Sequence, residues 1–363
     1  MEPVVPVAAP NETLTAAAPK RLPLRFSGSG GEYFGIWIVN LLLTILSLGV
    51  YSAWAKVRRL QYFYRHTELA DARFDFRGRP LSILLGRVVA LVLLLIYSYG
   101  TRHPSGFTLI AILIIGLLMP WLLRNSFRFR LYNSSWRGLR FGFHGSVAGA
   151  YRVFLLNGVL MLVTLYLLAP FFHHRLKRYQ HGHTSLGRTT ASFDASLGQF
   201  YRIYLLIFLS VVAAGAIFAV VGGAAFVQMM HTARGAQPDP AAAMRVFWSM
   251  FVVVLLFSLF IGPFFYTRLA NLIWNHTQIG AHRIECRQSA LRLMWIQVSN
   301  LLLMVVTLGL FYPWAAVRVM RFQIDALSVL AVTDLGEFEA AADTPTSAIG
   351  EETASLLDFD ISL

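Results

Sequence analysis

Seven apolar stretches, at roughly 36–55, 83–99, 107–123, 153–172, 203–227, 247–266 and 296–312, dominate the chain, and none contains an Asp or Glu. An α-helix needs about 20 such residues to cross the hydrocarbon of a bilayer. The composition agrees: 56% of residues are hydrophobic and 13% charged, where a soluble domain carries about 25% charged residues. The expected fold is therefore an all-α polytopic membrane protein. Polar side chains inside the stretches are few, with Asn40, Arg87, Asn157 and Asn300 standing out.

Internal repetition organises these stretches. Asn40-Leu-Leu-Leu-Thr-Ile-Leu-Ser-Leu-Gly49 matches Asn300-Leu-Leu-Leu-Met-Val-Val-Thr-Leu-Gly309, with Trp54-Ala55 and Trp314-Ala315 following at the same offset. Asn157 opens a third copy, and Phe26, Phe143 and Cys286 each precede their Asn by the same distance. Two longer copies begin at Phe76 and Phe193 and carry an extra apolar stretch. Five repeat units in the order short, long, short, long, short are thus expected, each an apolar helix or helix pair followed by a basic amphipathic interfacial helix. The segment from Trp54 to Arg65 shows the amphipathic part best, with residues 54, 57, 60 and 64 on one face. Units close on His66-Thr67, Asn133-Ser134, His183-Thr184 or His276-Thr277, and short extended links such as Phe74-Asp75-Phe76 lead onward.

Charge divides the chain into three. Residues 1–25 hold five prolines and are read as a disordered Pro-rich arm, with no secretory leader. Residues 26–332 form the membrane domain, and residues 333–363 carry eight acidic residues and no Lys or Arg, as a flexible tail. The basic excess of the core flanks apolar spans, which points to anionic headgroups and away from nucleic acid. If all seven stretches crossed, Lys and Arg would divide without bias. If only the four stretches of the long units crossed and the short units dipped and returned, all but three of the basic residues outside the spans would lie on one side, as short cytoplasmic loops require. The charge rule favours the dipping arrangement, which needs a break near Gly49 or Pro170.

The run Phe26-Ser-Gly-Ser-Gly-Gly-Glu-Tyr-Phe34, with Leu48-Gly-Val-Tyr-Ser-Ala-Trp-Ala-Lys-Val-Arg-Arg59 and Phe74-Asp-Phe-Arg-Gly-Arg-Pro80, resembles the YjgN-like family of bacterial inner-membrane proteins. The resemblance covers about Arg25 to Val332. It implies a multi-pass protein of the bacterial inner membrane, without an established biochemical function and without catalytic residues to carry over.

Candidate sites follow from position. Arg58, Arg175, Arg268 and Arg318 each follow an apolar run and are assigned to lipid or anion contact, against the plainer reading of independent snorkelling anchors. Asn40, Asn157 and Asn300 could line a polar passage, but repeated Asn in membrane helices more often bond between helices. His173, His174, His181 and His183 cluster without an acidic or Cys partner and are not read as a metal site, since His at a helix end bonds the last carbonyls. The single Cys286 excludes an internal disulfide. No cofactor is expected, and no span carries a carboxylate for acid-base work. Passage of a small molecule or lipid is the leading expectation, a scaffold binding anionic lipid the alternative, and a lipid-modifying enzyme ranks last. Oligomeric state is left open.

Overall fold

The computed structural model describes residues 19–102, 106–232, 240–333 and 335. The expectation of an all-α protein is overturned, because ten short strands close into an antiparallel β-barrel. The chain runs through five successive strand–helix–helix–strand segments. The first is β1 (Lys20–Phe26), α1 (Gly30–Leu46), α2 (Ser52–Arg65) and β2 (Thr67–Leu69). The second is β3 (Ala72–Phe76), α3 (Pro80–Arg102), α4 (Gly106–Tyr132) and β4 (Ser134–Trp136). The third is β5 (Leu139–Phe143), α5 (Val147–Val163, with a π-helical stretch at Tyr151–Leu156), α6 (Ala169–His181) and β6 (Thr184–Leu186). The fourth is β7 (Thr189–Phe193), α7 (Leu197–Thr232), α8 (240–275, with a π-helical stretch at Phe257–Ile261) and β8 (Thr277–Ile279). The fifth is β9 (His282–Cys286), α9 (Ala290–Val306), α10 (Tyr312–Asp325) and β10 (Leu327–Ala331).

Each segment pairs its own two strands, and the register is the same throughout: Phe26 faces Thr67, Phe76 faces Ser134, Phe143 faces Thr184, Phe193 faces Thr277 and Cys286 faces Leu327. Tight turns join neighbouring segments. Ala70 and Asp71 both have positive φ (48° and 58°), as do Arg137 and Gly138, the requirement of a two-residue type I′ hairpin. Pairing of β1 with β10 closes the barrel. Lys20–Arg25, read from sequence as part of the arm, therefore belong to the barrel, while residues 1–18 and the acidic tail beyond 335 lie outside the described residues.

Alternation explains why such short strands hold. In β3, Ala72, Phe74 and Phe76 turn inward, and Arg73 and Asp75 stay outside, the period of 2 that a pleated strand imposes. The inward residues fill the lumen. Leu69, Trp136, Leu186, Ala331 and Leu335 form its buried centre, with Leu22, Leu24, Phe141, Ile279 and Val329 packed round them. The Trp136 indole donates to the Leu69 carbonyl at 3.3 Å, which satisfies the one polar atom this large side chain brings in.

Because every helical hairpin is inserted between a strand and its partner, all five leave the barrel from the same rim. The seven apolar stretches resolve into two kinds of insertion. Among the described residues, four helices are long and apolar enough to cross a membrane: Pro80–Arg102, Phe107–Tyr132, Leu197–Val220 and Ala243–Asn275. Three shorter apolar helices, Gly30–Leu46, Val147–Val163 and Ala290–Val306, turn back instead. Their 17 residues rise about 25 Å, less than the ~30 Å hydrocarbon core. A serine caps each of these three: Ser29, Ser146 and Ser289 accept from the amides of Glu32, Gly149 and Arg292, filling one donor the helix start leaves open.

Candidate functional site

The reversals of the three short hairpins share one construction. In the first, α1 ends with Gly49 N–H bonded to the Thr44 carbonyl (2.8 Å) and Leu48 N–H to that of Ile45 (3.1 Å), the paired bonds of a Schellman closure. The Ser47 hydroxyl then accepts the Tyr51 amide at 2.8 Å, and every amide from Ser47 to Ser52 has a partner. The third hairpin repeats this with Tyr166 on Met161, Leu165 on Leu162, and Leu168 on the Thr164 hydroxyl. In the fifth, Gly309 bonds Met304, Leu308 bonds Val305, and Phe311 bonds the Thr307 hydroxyl. A chain reversal in hydrocarbon is tolerated only when its backbone groups are satisfied internally, and these three satisfy theirs.

The residue at the left-handed position is the second notable feature. Glycine is the usual choice there, yet Leu48, Leu165 and Leu308 occupy it with φ of 51°, 48° and 50°. A left-handed non-glycine residue costs roughly 1–2 kcal/mol. These same leucines are 95%, 85% and 94% exposed, so no packing within the chain offsets that cost. The break foreseen near Gly49 is present; in the third hairpin it falls at Leu165 and Tyr166, ahead of Pro170.

The second helix of each hairpin carries the arginines singled out above. Arg58, Arg175 and Arg268 are exposed, and each lies over an aromatic ring of its own segment, Tyr51 at 5.7 Å, Phe171 at 5.2 Å and Phe264 at 5.1 Å. Such stacking holds the stem against apolar surface and leaves the guanidinium edge free to donate. Arg318 differs. It donates to Asn300 Oδ1 (2.7 Å) and to the Ser299 hydroxyl (2.9 Å), and Asn300 also reaches the Ala315 carbonyl at 3.4 Å. That pair binds α9 to α10 within one hairpin. Asn40 and Asn157 are buried at the corresponding places of the first and third hairpins. Arg87, within α3, donates to the Ser52 hydroxyl at the start of α2.

The recurring His-Thr pairs are helix stops. His66, His183 and His276 meet the carbonyls of Tyr62, Tyr179 and Leu272 through Nδ1, at 2.7 to 2.9 Å. The hydroxyls of Thr67, Thr184 and Thr277 donate to Phe63, Gln180 and Ile273. Among the described residues no three His, Cys, Asp or Glu side chains gather as metal ligands.

What the sequence reading did not single out is the seam between the third and fourth segments. Seven residues ahead of the closing strand, the five segments hold Leu60, Phe127, Lys177, Ala270 and Met320; three ahead, they hold Tyr64, Leu131, His181, Trp274 and Ile324. Four seams are apolar there, and one carries a Lys and a His, both only 6% exposed. Around them His173 Nδ1 meets the Tyr204 hydroxyl (2.8 Å), His174 Nε2 meets the Ala195 carbonyl (3.0 Å), and His181 Nδ1 meets the Thr277 hydroxyl (3.2 Å). Burial, with Lys177 adding to it, pushes His173 down to about 4 and His181 to about 3. Both are neutral at ordinary pH. The signal lay in the sequence as one Lys among four His on a segment whose counterparts are apolar at the same place.

Comparison with known proteins adds the family. Residues 21–356 match the family described as bacterial protein of unknown function (DUF898). The chain belongs to this family. It is similar to inner membrane protein YjgN of Salmonella typhimurium, 33% identical over 150 residues that make up 40% of this chain and 37% of that protein. Inner membrane protein YjgN of Escherichia coli O157:H7 is 23% identical over 263 residues, 72% of this chain and 51% of the relative. That of Escherichia coli strain K12 is 29% identical over 145 residues, 38% and 35% of the two chains. The matched segments thus span about a third to a half of the length of these relatives. No solved structure matches. The relatives and the four apolar helices together make this member of the family a bacterial inner-membrane protein.

Proposed function

We propose that the protein is a membrane platform that binds anionic lipid in the inner leaflet. The observation that carries this reading is the set of three hairpins whose self-satisfied reversals present fully exposed leucines at their tips. Leu48, Leu165 and Leu308 gain an apolar phase only if the tips enter lipid. The four long helices cross, the barrel lies on the cytoplasmic side with the basic residues, and the exposed Arg58, Arg175 and Arg268 meet phosphates at the headgroup layer. An arginine near an anionic surface contributes about 1 kcal/mol, so three together retain lipid through gentle detergent.

Two features favour binding over passage of a solute. The barrel axis is filled by Trp136 and its apolar neighbours. The four crossing helices stand as two pairs, α3 on α4 and α7 on α8, and neither pair packs along the other; an 18-residue apolar stretch within Leu197–Val220 has none of its residues buried. Movement of lipid remains a second reading. It is favoured by an apolar cleft of about 470 Å³ between the first and fifth hairpins, lined by Phe34, Thr307, Leu310, Phe311 and Trp314.

The test is lipid retention. The triple variant R58Q/R175Q/R268Q, purified from membranes, should carry less phosphatidylglycerol than the parent by mass spectrometry while melting at a similar temperature. R318Q should instead lower the melting temperature, because it breaks the α9–α10 link. Unchanged lipid in the triple variant refutes the platform reading, and phospholipid scrambling in proteoliposomes would replace it with the second.

A further inference from the structure

The helices occupy one end of the barrel. The turns Ala70-Asp71, Arg137-Gly138, Gly187-Arg188 and Gly280-Ala281, with the start of β1, occupy the other. Lys20, Arg73, Arg137 and Arg283 are exposed at this far end, as are Arg140 and Arg188. The opposing strands do little to balance them: Arg73 faces Glu68, but Arg140 faces Ser135 and Arg283 faces Gln278. Among the described residues, Glu68 and Asp71 are the acids of this end, and Lys20, Arg73, Arg137 and Arg283 form no ion pair. Arg137 is fixed at the mouth of the lumen, because it donates to the Ala70 carbonyl at 3.0 Å and its guanidinium lies 4.7 Å over the Trp136 ring. Charges of one sign gathered on so small a ring draw anions to it.

The chain leaves the barrel at this same mouth. Past β10, Leu335 is 5% exposed and packs in the lumen with Leu69, Trp136 and Leu186. An extended chain covers about 3.5 Å per residue, so Glu337 and Glu339 lie within about 7 and 14 Å of that leucine. Asp343, Glu351 and Glu352 follow, with no Lys or Arg before the end of the sequence. The family match runs on to residue 356, well past the end of β10 at Ala331. We propose that the acidic stretch from Glu337 to Glu352 docks on the basic far end of its own barrel, over Arg73, Arg137 and Arg283. Exposed ion pairs are individually weak, but a short tether holds the acids at millimolar effective concentration. While the stretch is seated, that end of the barrel is closed to other acidic peptides. The proposal does not rest on the lipid reading above, whose Arg58, Arg175 and Arg268 lie on the helices at the opposite end.

The experiment uses the full chain in detergent and takes two measurements. In the first, C286A/A348C carries a nitroxide spin label between Asp343 and Glu351, far enough from Leu335 that the tether alone does not slow it. At low ionic strength its spectrum should contain an immobilised component. Adding R73Q/R137Q/R283Q should remove that component, and so should about 1 M salt, which screens charges beyond about 3 Å. In the second, binding of fluorescein-labelled hexaglutamate is followed by anisotropy. The tail-neutralised chain E337Q/E339Q/D343N/E351Q/E352Q should bind it about tenfold or more tighter than the parent, because a tethered competitor has been removed. This variant leaves the barrel untouched, so the test stands even if loss of the Arg137 bond to Ala70 disturbs the fold. The proposal is overturned if the label is as mobile in the parent as in the arginine variant, or if the neutralised chain binds hexaglutamate no better than the parent. It is also overturned if the immobilised component grows with protein concentration, which would seat the stretch on a second copy.

Discussion

The short and long segments begin and end alike and differ in what lies between. Both leave the barrel from a strand ending at Phe26, Phe76, Phe143, Phe193 or Cys286, and both return through a helix that stops at the next strand. In the long segments the helices continue for 23 to 36 residues. In the short ones a left-handed leucine and a hydroxyl-capped restart reverse the chain after 17. The difference teaches that depth in the bilayer is set here by turn chemistry, since the first and third segments are as apolar at their reversals as the second is in mid-helix.

The sharpest way to break that comparison is to locate the tips. With Cys286 replaced, cysteines at Thr101 and Thr232, the far ends of α3 and α7, should react with an impermeant thiol reagent from outside the cell, while cysteines at Leu48 and Leu308 should not. Labelling of Leu48 from outside would mean that the short hairpins cross too.

Charging the tips is next in size. An acidic residue deep in hydrocarbon costs about 2.5–3.5 kcal/mol, so L48D with L308D should strip the protein of much of its membrane-stable fraction. Changing exposed Leu81 to Asp, at the start of α3 by the rim, should do far less. Equal effects would place the tips in water.

Acid separates the polar seam from the apolar ones. His173 and His181 titrate near 4 and near 3 in the folded chain and near 6.5 when unfolded, so between these values the unfolded chain binds more protons. Their contribution to stability is whole above about pH 6.5 and falls away as the pH drops toward 3. Melting temperatures across pH 7 to 4 should fall for the parent and fall less for H173F/H181F. Parallel curves would show that carboxylates, not this seam, govern acid sensitivity.

The smallest effect compares two glycines. Gly49 has φ of 92° with open space around its Cβ position, and Gly31 lies in the first turn of α1, equally open. G49A should lower stability by about 1 kcal/mol through backbone strain alone. G31A should be neutral or slightly stabilising, as Ala for Gly is in a helix. A loss of similar size at both would mean that the reversal is not strained.

Much of the helical layout was legible because apolar runs and basic aromatic flanks are long and local. The barrel was not. Its even strands hold three residues apart from the five of β10, too few for alternation to register, and Phe74-Asp75-Phe76 reads as a linker until Ser134 and Trp136 supply its partner. The arginines were legible as positions, but nothing local tells Arg318, committed to Asn300, from Arg58, which is exposed. Lys177 was hidden by its neighbours: the four histidines nearby were read as helix-end residues and not as a metal site, and the burial of one amine among them becomes visible only when the neighbouring segments are in place.

Closure of the barrel by β1 and β10 also governs how the chain can be made. Lys20 pairs with Ala331, so the first strand leaves the ribosome with β2 to cover one edge and nothing to cover the other until β10 has been synthesised. An open strand edge invites wrong pairing, and pairing across such a sequence separation is slow. The intervening helical hairpins enter the bilayer in order during that wait, each tethering two strands at one surface. By the time β10 emerges, its search for β1 is confined to the rim of a ring already four-fifths assembled, and the membrane has served as the template on which the barrel is drawn shut.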